Sequence, residues 1–305
     1  MPRQLDLDGI HTVVVTPFDR KGEIDLEALG RVVDFVIAGG VRFVIPCGTT
    51  GEYYALSMAE RKQVIKAVRD RVGKRARLIA GTNSASQREI IELSLFAKEL
   101  GYEAVMLAAP YYSLPTPPEL TAHFKAVAAA IAMPIVLYNF PARTGVDIGL
   151  EVLDGLKDCE AVVGIKESSG SIARLHEIMV RYGDRYTIVC GADDQALEYF
   201  AWGVRAWIAG ASNFLPAEHV ALYEACVKRG DLKAGRAIMR AMLPLFMHME
   251  GGKYLQCAKH GCALAGIPAG DPRPPLAALS ADEKQAFARI YEQAKGALAP
   301  AAAAQ

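Results

Sequence analysis

Lys166 is the residue of this chain whose setting points most directly to chemistry. It lies in the stretch VVGIKESSG, residues 162 to 170, where a run of apolar and β-branched residues ends in a Ser-Ser-Gly turn. This pattern predicts a buried strand, so the lysine would lie where a sheet or barrel opens. Burial against apolar walls disfavours an ammonium ion, and the resulting free amine can attack a carbonyl carbon to form an imine. A structural lysine paired with Glu167 or another carboxylate is the alternative.

Imine chemistry also requires a proton shuttle and donors for the carboxylate of a 2-oxo acid. Tyr138, near the end of the apolar run PIVLYN, could supply the shuttle. The GTTGE loop over 48–52 offers two threonine hydroxyls and glycine-flanked N–H groups for a carboxylate. Each feature has a structural alternative, a core aromatic residue for Tyr138 and an ordinary strand-to-helix turn for the loop. Their joint placement at one end of a barrel would favour catalysis.

Eight short apolar runs could form the strands that position these residues. They cover 11–17, 42–49, 77–82, 104–110, 134–139, 162–168, 186–192 and 206–212. Amphipathic segments lie between them, for example 24–40, 57–73 and 85–101, and predict helices. Eight βα units favour a closed (β/α)8 TIM barrel, because eight parallel strands then leave no free edge. A doubly wound open sheet is the alternative.

The rest of the chain is predicted to form a helical extension of the barrel. We predict a catalytic (β/α)8 barrel over 1–225 and a C-terminal helical extension over 226–298, with helices at 231–249, 252–265 and 281–297. The low-complexity residues 299–305 are predicted to form a disordered tail.

Composition restricts the partners and the location of the protein. The 305 residues include 34 basic and 34 acidic side chains, so no net charge favours nucleic acid or an anionic membrane, and small molecules are the expected partners. No apolar run approaches the roughly 20 residues of a membrane helix, and the N-terminus lacks the apolar core of a signal peptide, which predicts a cytoplasmic protein. The six cysteines are scattered and predict thiols rather than disulfides.

No metal and no cofactor are implied by the sequence. The six histidines show no paired ligand spacing. A barrel that holds pyridoxal phosphate would also use a lysine imine, but no strong phosphate cradle stands out beyond the glycines near strands seven and eight.

Four segments carry a resemblance to a known family. GTTGE (48–52), PYYSLPT (110–116), YNFPARTG (138–145) and GIKESSG (164–170) resemble the signature segments of the dihydrodipicolinate synthase / N-acetylneuraminate lyase family of class I aldolases. The similarity runs in order from about residue 8 to residue 270. It implies a (β/α)8 barrel with a helical C-terminal extension, assembled as a homotetramer that is a dimer of dimers.

The same resemblance implies the catalytic residues. Lys166 would form the imine, and Tyr138 would act as proton shuttle and general acid/base. Thr49 would be the relay partner of Tyr138. Tyr112 would reach across a dimer interface into the neighbouring site.

Substrate-binding residues follow from the resemblance in the same way. Thr50 would be the main carboxylate contact, with Gly48 in the same loop. The backbones of Gly191 and Ile208 would line the pyruvate site. Arg143 would hold the carboxylate of a second substrate, and its structural alternative is a surface salt bridge.

Some positions depart from the family pattern. Where lysine-inhibited synthases place histidine and asparagine side chains, this chain has Met58, Arg61 and Ala85, which predicts that lysine does not inhibit it. The segment MEGGKYLQCAKHG (249–261) replaces an Asn-Pro-rich segment in the region where the family varies its second substrate.

The resemblance thus implies a Schiff-base-forming carbon-oxygen or carbon-carbon lyase that acts on pyruvate or a related 2-oxo acid, with an aldehyde as second partner. The dihydrodipicolinate synthase branch, which joins pyruvate and aspartate semialdehyde, is the leading hypothesis. A catabolic aldolase, dehydratase or deaminase of a 2-oxo-3-deoxy sugar acid or a hydroxyproline-derived imino acid is the alternative. A barrel that binds an oxo acid without turnover is a third hypothesis.

Overall fold

The protein is a closed barrel of eight parallel strands. A computed structural model describes the backbone of residues 5–302 and the side chains of residues 5–298. Each strand pairs with the next, and the eighth pairs with the first, so the barrel prediction is confirmed and the open-sheet alternative is wrong. The strands are β1 (Gly9–Val13), β2 (Phe43–Ile45), β3 (Arg77–Gly81), β4 (Ala104–Ala108), β5 (Ile135–Asn139), β6 (Val162–Glu167), β7 (Thr187–Cys190) and β8 (Ala206–Ala209).

Helices surround the barrel and continue beyond it. Those that follow the strands are α1 (Leu26–Ala38), α2 (Met58–Val72), α3 (Gln87–Glu99), α4 (Pro117–Ile131), α5 (Pro141–Thr144), α6 (Leu150–Gly155), α7 (Ile172–Tyr182), α8 (Ala196–Ala201) and α9 (Pro216–Tyr223). Single turns of 3-10 helix lie at Tyr53–Ala55, Asp193–Gln195 and Ala211–Asn213. The extension holds α10 (Leu232–Glu250), α11 (Tyr254–Leu264) and α12 (Ala281–Ala302).

Two predicted boundaries of the extension can be compared with the helices of the structure. The division at residues 225 and 226 falls inside a π-helical turn, Glu224–Lys228, that continues α9, and it stays a prediction. Helix α12 runs to Ala302, four residues into the tail predicted to be disordered, and the remaining residues 303–305 lie outside the described residues. Among the helices described, none is both long and apolar enough to span a membrane.

Side chains of the strands alternate between two cores. Neighbouring residues of one strand point to opposite faces, so one set fills the barrel interior and the other packs under the helices. The interior set includes Phe43, Met106, Val136 and Val189. The outer set includes the residues next to them in sequence, Val44, Val105, Leu137 and Ile188.

The six cysteines are all free thiols, which confirms that prediction. Five of them are buried, and only Cys159, before β6, is half-buried. Burial in apolar surroundings raises the pKa of the Cys47 thiol to about 12 and that of Cys257 to about 11.

An ion pair in the outer core joins β6 to the helix that follows it. The Glu167 side chain is fully buried, and Arg174 Nε of α7 lies 2.7 Å from its Oε2. Asn139 Nδ2 of β5 donates to the same carboxylate at 3.1 Å, and Arg174 Nη1 binds Asp147 at 3.0 Å. These contacts fix the relative positions of β5, β6 and α7 just outside the end of the barrel where Lys166 lies.

Arg174→Met is expected to lower the free energy of unfolding by about 3–5 kcal/mol, because it leaves the Glu167 carboxylate buried without a partner charge. Urea unfolding followed by circular dichroism measures the loss. Arg181→Met on the same helix is the matched control, since the Arg181–Asp154 pair is exposed and such pairs contribute about 0–1 kcal/mol. Equal losses in the two variants would contradict the role given to burial.

Candidate active site

A cavity of about 550 Å³ opens at the carboxyl ends of the strands. In a barrel of this kind the loops at that end carry the chemistry. Seven of the nine residues predicted from sequence line this single cavity, namely Thr49, Thr50, Tyr138, Arg143, Lys166, Gly191 and Ile208. The other two, Gly48 and Tyr112, do not line it.

Lys166 and Tyr138 lie side by side at the base of the cavity. They are paired residues on β6 and β5, and both are buried, with 6% and 4% of their surface exposed. Lys166 Nζ lies 4.3 Å from the centre of the Tyr138 ring. Strand pairing therefore holds the amine against an aromatic face.

Glu167 is not the partner of this lysine. Because successive side chains of a strand alternate, Lys166 points into the barrel while Glu167 points to the helices. There the Glu167 carboxylate binds Arg174 and accepts a hydrogen bond from the Ser169 N–H at 2.7 Å. The structural alternative that pairs Lys166 with Glu167 is therefore wrong.

The threonine loop is a tight turn held by its own backbone. Gly51 N–H donates to Gly48 O at 3.0 Å, and Glu52 N–H donates to Thr49 O at 3.1 Å. Thr16 Oγ1 donates to Gly51 O at 2.7 Å from the loop after β1. This framework presents Thr49 and Thr50 to the cavity wall. The relay between Thr49 and Tyr138 stays a prediction.

Gly48 and Gly191 both allow backbone to approach closely packed side chains. A Cβ at Gly48 would lie 2.5 Å from Val13 Cγ1, so Gly48 lets the loop pack onto the barrel interior beneath the cavity. A Cβ at Gly191 would lie 2.0 Å from Ser168 Oγ and 2.8 Å from Lys166 Cγ. A side chain at position 191 would therefore force Ser168, Lys166 or the local backbone to shift.

Tyr112 lies on the loop that follows β4, away from the cavity of its own chain. It is 95% exposed and has a φ of 71°, in the left-handed region that non-glycine residues rarely adopt. Leu114, two residues later, is also exposed and left-handed, with a φ of 49°. An aromatic residue held in this way projects from the surface, and its predicted role in a neighbouring site stays a prediction.

Sequence reasoning missed a polar network in another part of the cavity wall. Asp193 is 2% exposed and accepts hydrogen bonds from Trp207 Nε1 at 2.9 Å and from the Tyr254 hydroxyl. Both Asp193 and Tyr254 line the cavity. Asp193 follows the end of β7 by three residues, and this position after a strand could have predicted it as a site residue. Tyr254 comes from α11, and no local sequence pattern predicts that it lines the cavity.

Acidic residues give this wall its charge. Asp194 and Glu250 line the cavity beside Asp193, and Glu250 ends α10. Glu250 is exposed at the cavity mouth, yet partial removal from water and then the nearby Asp193 and Asp194 raise its pKa to about 7, against the opposing charges of Lys166 and Arg143. Near neutral pH this carboxyl can therefore donate or accept a proton.

Metal ligands are not gathered at this site. Within residues 5–298, no group of three or more histidine, cysteine, aspartate or glutamate side chains could hold a metal ion. The polar groups that line the cavity include the Lys166 amine, the Tyr138 phenol, the threonine hydroxyls, the Arg143 guanidinium and the carboxyls described above.

Comparison with known proteins places these residues in a family. The model of the dihydrodipicolinate synthetase family matches residues 6–294. The 4-hydroxy-tetrahydrodipicolinate synthase of Geotalea daltonii is 36% identical over 287 residues, which cover 94% of this chain and 98% of that protein. The corresponding enzyme of Sorangium cellulosum is 44% identical over 246 residues, covering 79% of this chain and 81% of that protein.

Solved structures agree with the sequence comparison. The 4-hydroxy-tetrahydrodipicolinate synthase of Methylacidiphilum fumariolicum SolV superposes with a TM-score of 0.92 at 31% identity, covering 97% of this chain and 98% of that one. The match extends over the barrel and the helical extension alike. From its sequence, its fold and the residues of its cavity, the chain belongs to the dihydrodipicolinate synthetase family.

Proposed function

We propose that this protein is a 4-hydroxy-tetrahydrodipicolinate synthase, which joins pyruvate to aspartate semialdehyde through an imine on Lys166. The observation that carries the proposal is the position of Lys166 Nζ, 4.3 Å from the centre of the Tyr138 ring, in a cavity that also contains Thr50 and Arg143. The names of the relatives support the choice of substrates.

Imine formation uses the base of the cavity. The Lys166 amine adds to C2 of pyruvate, and both protons of its nitrogen leave with the carbonyl oxygen as water. The Tyr138 hydroxyl carries protons between nitrogen and oxygen, with Thr49 as its relay. Thr50 and the N–H groups of its loop hold the pyruvate carboxylate, which orients C2 toward the amine.

Carbon–carbon bond formation follows from the imine. The Tyr138 hydroxyl gives a proton to the imine nitrogen, and the resulting iminium acts as an electron sink. C3 then loses a proton to the Tyr138 oxygen and becomes the nucleophilic carbon of an enamine. The enamine carbon attacks the aldehyde carbon of the second substrate, whose oxygen takes up a proton. The amino group of that substrate then adds to the imine carbon and displaces the Lys166 amine, which closes the ring and frees the enzyme.

Arg143 is the proposed contact for the carboxylate of aspartate semialdehyde. It lies on the short helix α5 just beyond β5, so it reaches the cavity from the same strand that supplies Tyr138. A guanidinium offers paired donors that match a carboxylate.

A second candidate is the catabolic lyase of a 2-oxo-3-deoxy sugar acid. The observation that favours it is the acidic wall, where Asp194 and Glu250 could accept hydrogen bonds from sugar hydroxyls. Comparing turnover of aspartate semialdehyde with that of a panel of deoxy sugar acids and imino acids separates the two candidates. Binding of an oxo acid without turnover would show as an imine with no product from any member of the panel.

The assembly and location remain parts of the proposal. We propose a cytoplasmic homotetramer in which Tyr112 of one chain completes the site of its neighbour. The exposure of Tyr112 and Leu114 on the loop after β4 supports this, because large apolar side chains at a protein surface favour contact with another chain.

Incubation with pyruvate and borohydride is expected to leave a reduced adduct on Lys166. Peptide mapping by mass spectrometry identifies the modified residue, and Lys166→Met is expected to abolish the adduct. Lys253 also lines the cavity, so Lys253→Met is the matched control and should keep the adduct. An adduct on Lys253, or none with any 2-oxo acid in a folded protein, would refute the proposed chemistry.

Mixing Tyr112→Phe and Lys166→Ala subunits is expected to recover activity. Each variant alone is expected to be inactive or strongly impaired, whereas a mixed dimer contains one site with both native residues. The assay measures turnover after the subunits have been allowed to exchange, which native mass spectrometry verifies. Exchange without recovered activity would contradict the sharing of Tyr112.

Lysine is expected not to inhibit the enzyme at concentrations found in cells. At the positions that bind lysine in inhibited synthases, Met58 and Ala85 offer no side-chain hydrogen bonds, and Arg61 adds a buried positive charge. Glu89, which remains, already accepts a hydrogen bond from Ser84 Oγ at 2.6 Å. Initial rates measured with increasing lysine, beside a lysine-inhibited synthase, test this, and a fall in rate would show the prediction to be wrong.

A further inference from the structure

Glu52 is a fully buried carboxylate at the end of the threonine loop, and no step of the proposed mechanism uses it. Its backbone has a φ of 55°, in the left-handed region. Such a conformation is unfavourable for a non-glycine residue, and it persists where the surroundings determine it. The contacts of the Glu52 side chain are therefore informative.

Both carboxylate oxygens of Glu52 meet residues of the C-terminal extension. Oε1 lies 2.6 Å from Lys259 Nζ of α11, and the side chains of this ion pair are 0% and 1% exposed. Oε2 accepts a hydrogen bond from the Arg273 N–H at 3.0 Å. Lys259 Nζ also donates to Asp271 O at 3.1 Å, so the lysine joins two parts of the extension to the loop.

Arg273 strengthens the same junction. Its guanidinium donates to Gly22 O at 2.8 Å and to Ala55 O at 3.0 Å, and it binds Glu60 at 2.5 Å. These acceptors lie in the chain after β1 and on either side of the start of α2. The segment after α11 is thereby tied to the loop after β1 and to the chain that follows the threonine loop.

The ion pair lies behind the cavity rather than in it. Neither Glu52 nor Lys259 lines the cavity, whereas Thr49 and Thr50 just before Glu52 do. Tyr254 and Gln256, one to two turns before Lys259 on α11, line it too. One buried pair thus connects two walls of the site that are distant in sequence.

Stability alone does not account for such a pair. Removing two charges from water is costly, and apolar residues of similar volume in place of a buried pair are often neutral or stabilising. In some proteins a buried polar or charged group fixes the register of two segments, which is its best-supported role. The segments fixed here are the carboxylate-binding loop and the helix that faces it.

We propose that Glu52 is a positioning residue, whose ion pair with Lys259 holds the Thr49–Thr50 loop where it can bind a 2-oxo acid for attack by Lys166. This inference rests on the proposed function. It assigns to the C-terminal extension a part in binding the first substrate, while Arg143 on α5 serves the second substrate independently.

Glu52→Gln, Lys259→Met and the double variant test this inference. In each single variant KM for pyruvate is expected to rise by about tenfold or more, because a misplaced loop loses the carboxylate contact. KM for aspartate semialdehyde should stay within about twofold of native, because Arg143 is not on this loop. The double variant buries no unpaired charge, so its urea midpoint should return toward native while KM for pyruvate stays raised.

Glu103→Gln is the matched control. Its pair with Arg77, at an N–O distance of 2.6 Å, lies at the amino-terminal ends of β3 and β4, the opposite end of the barrel from the cavity. This variant should leave both KM values unchanged, whatever its effect on the urea midpoint. If a single variant fails to fold, the double variant decides the question.

This inference would be overturned if the folded single variants had the native KM for pyruvate. It would also be overturned if the double variant had the native KM for pyruvate. If the native chain turns over its substrates normally, neither of these results contradicts the proposed function. A native chain that forms no imine with any 2-oxo acid would instead overturn the proposed function, and this inference with it.

Discussion

The architecture depends on one constraint, the strict alternation of side chains along β6. A single step along the strand separates Lys166, which points into the barrel, from Glu167, which points to the helices. The Glu167 carboxylate forms an ion pair with Arg174 outside the barrel and not with Lys166 inside it. Two ionisable residues that are adjacent in sequence are therefore both buried without pairing with each other, and Lys166 faces the cavity.

The barrel and the extension contribute to the cavity in different ways. The strands supply Tyr138 and Lys166 and hold them side by side through backbone pairing. The extension supplies a wall, from Glu250 at the end of α10 and Tyr254 at the start of α11, and it contacts the strand-end loops through buried polar groups. A segment outside the repeated βα pattern thus shapes the space in which the strands' residues act.

The sequence predicted the barrel and its central residues because the signals for them are local. Lys166 and Tyr138 each lie within a short apolar run bounded by turn residues, and the order of eight such runs determines which strands are neighbours. The partnership of Asp193 with Tyr254 had no such signal, since it joins residues on β7's loop and α11. Glu52 and Lys259 likewise meet only through tertiary packing, so neither composition nor periodicity could reveal their contact.

Burial of the thiols affects their reactivity toward oxidants and alkylating agents. A thiolate, not a thiol, reacts with oxidants and alkylating agents, and burial raises the pKa of Cys262 to about 12 and that of Cys226 to about 11. Cys159, the one half-buried cysteine, precedes β6 at the end of the strand opposite Lys166. No cysteine is among the residues that line the cavity, so oxidation of a thiol would not by itself alter a side chain of its wall.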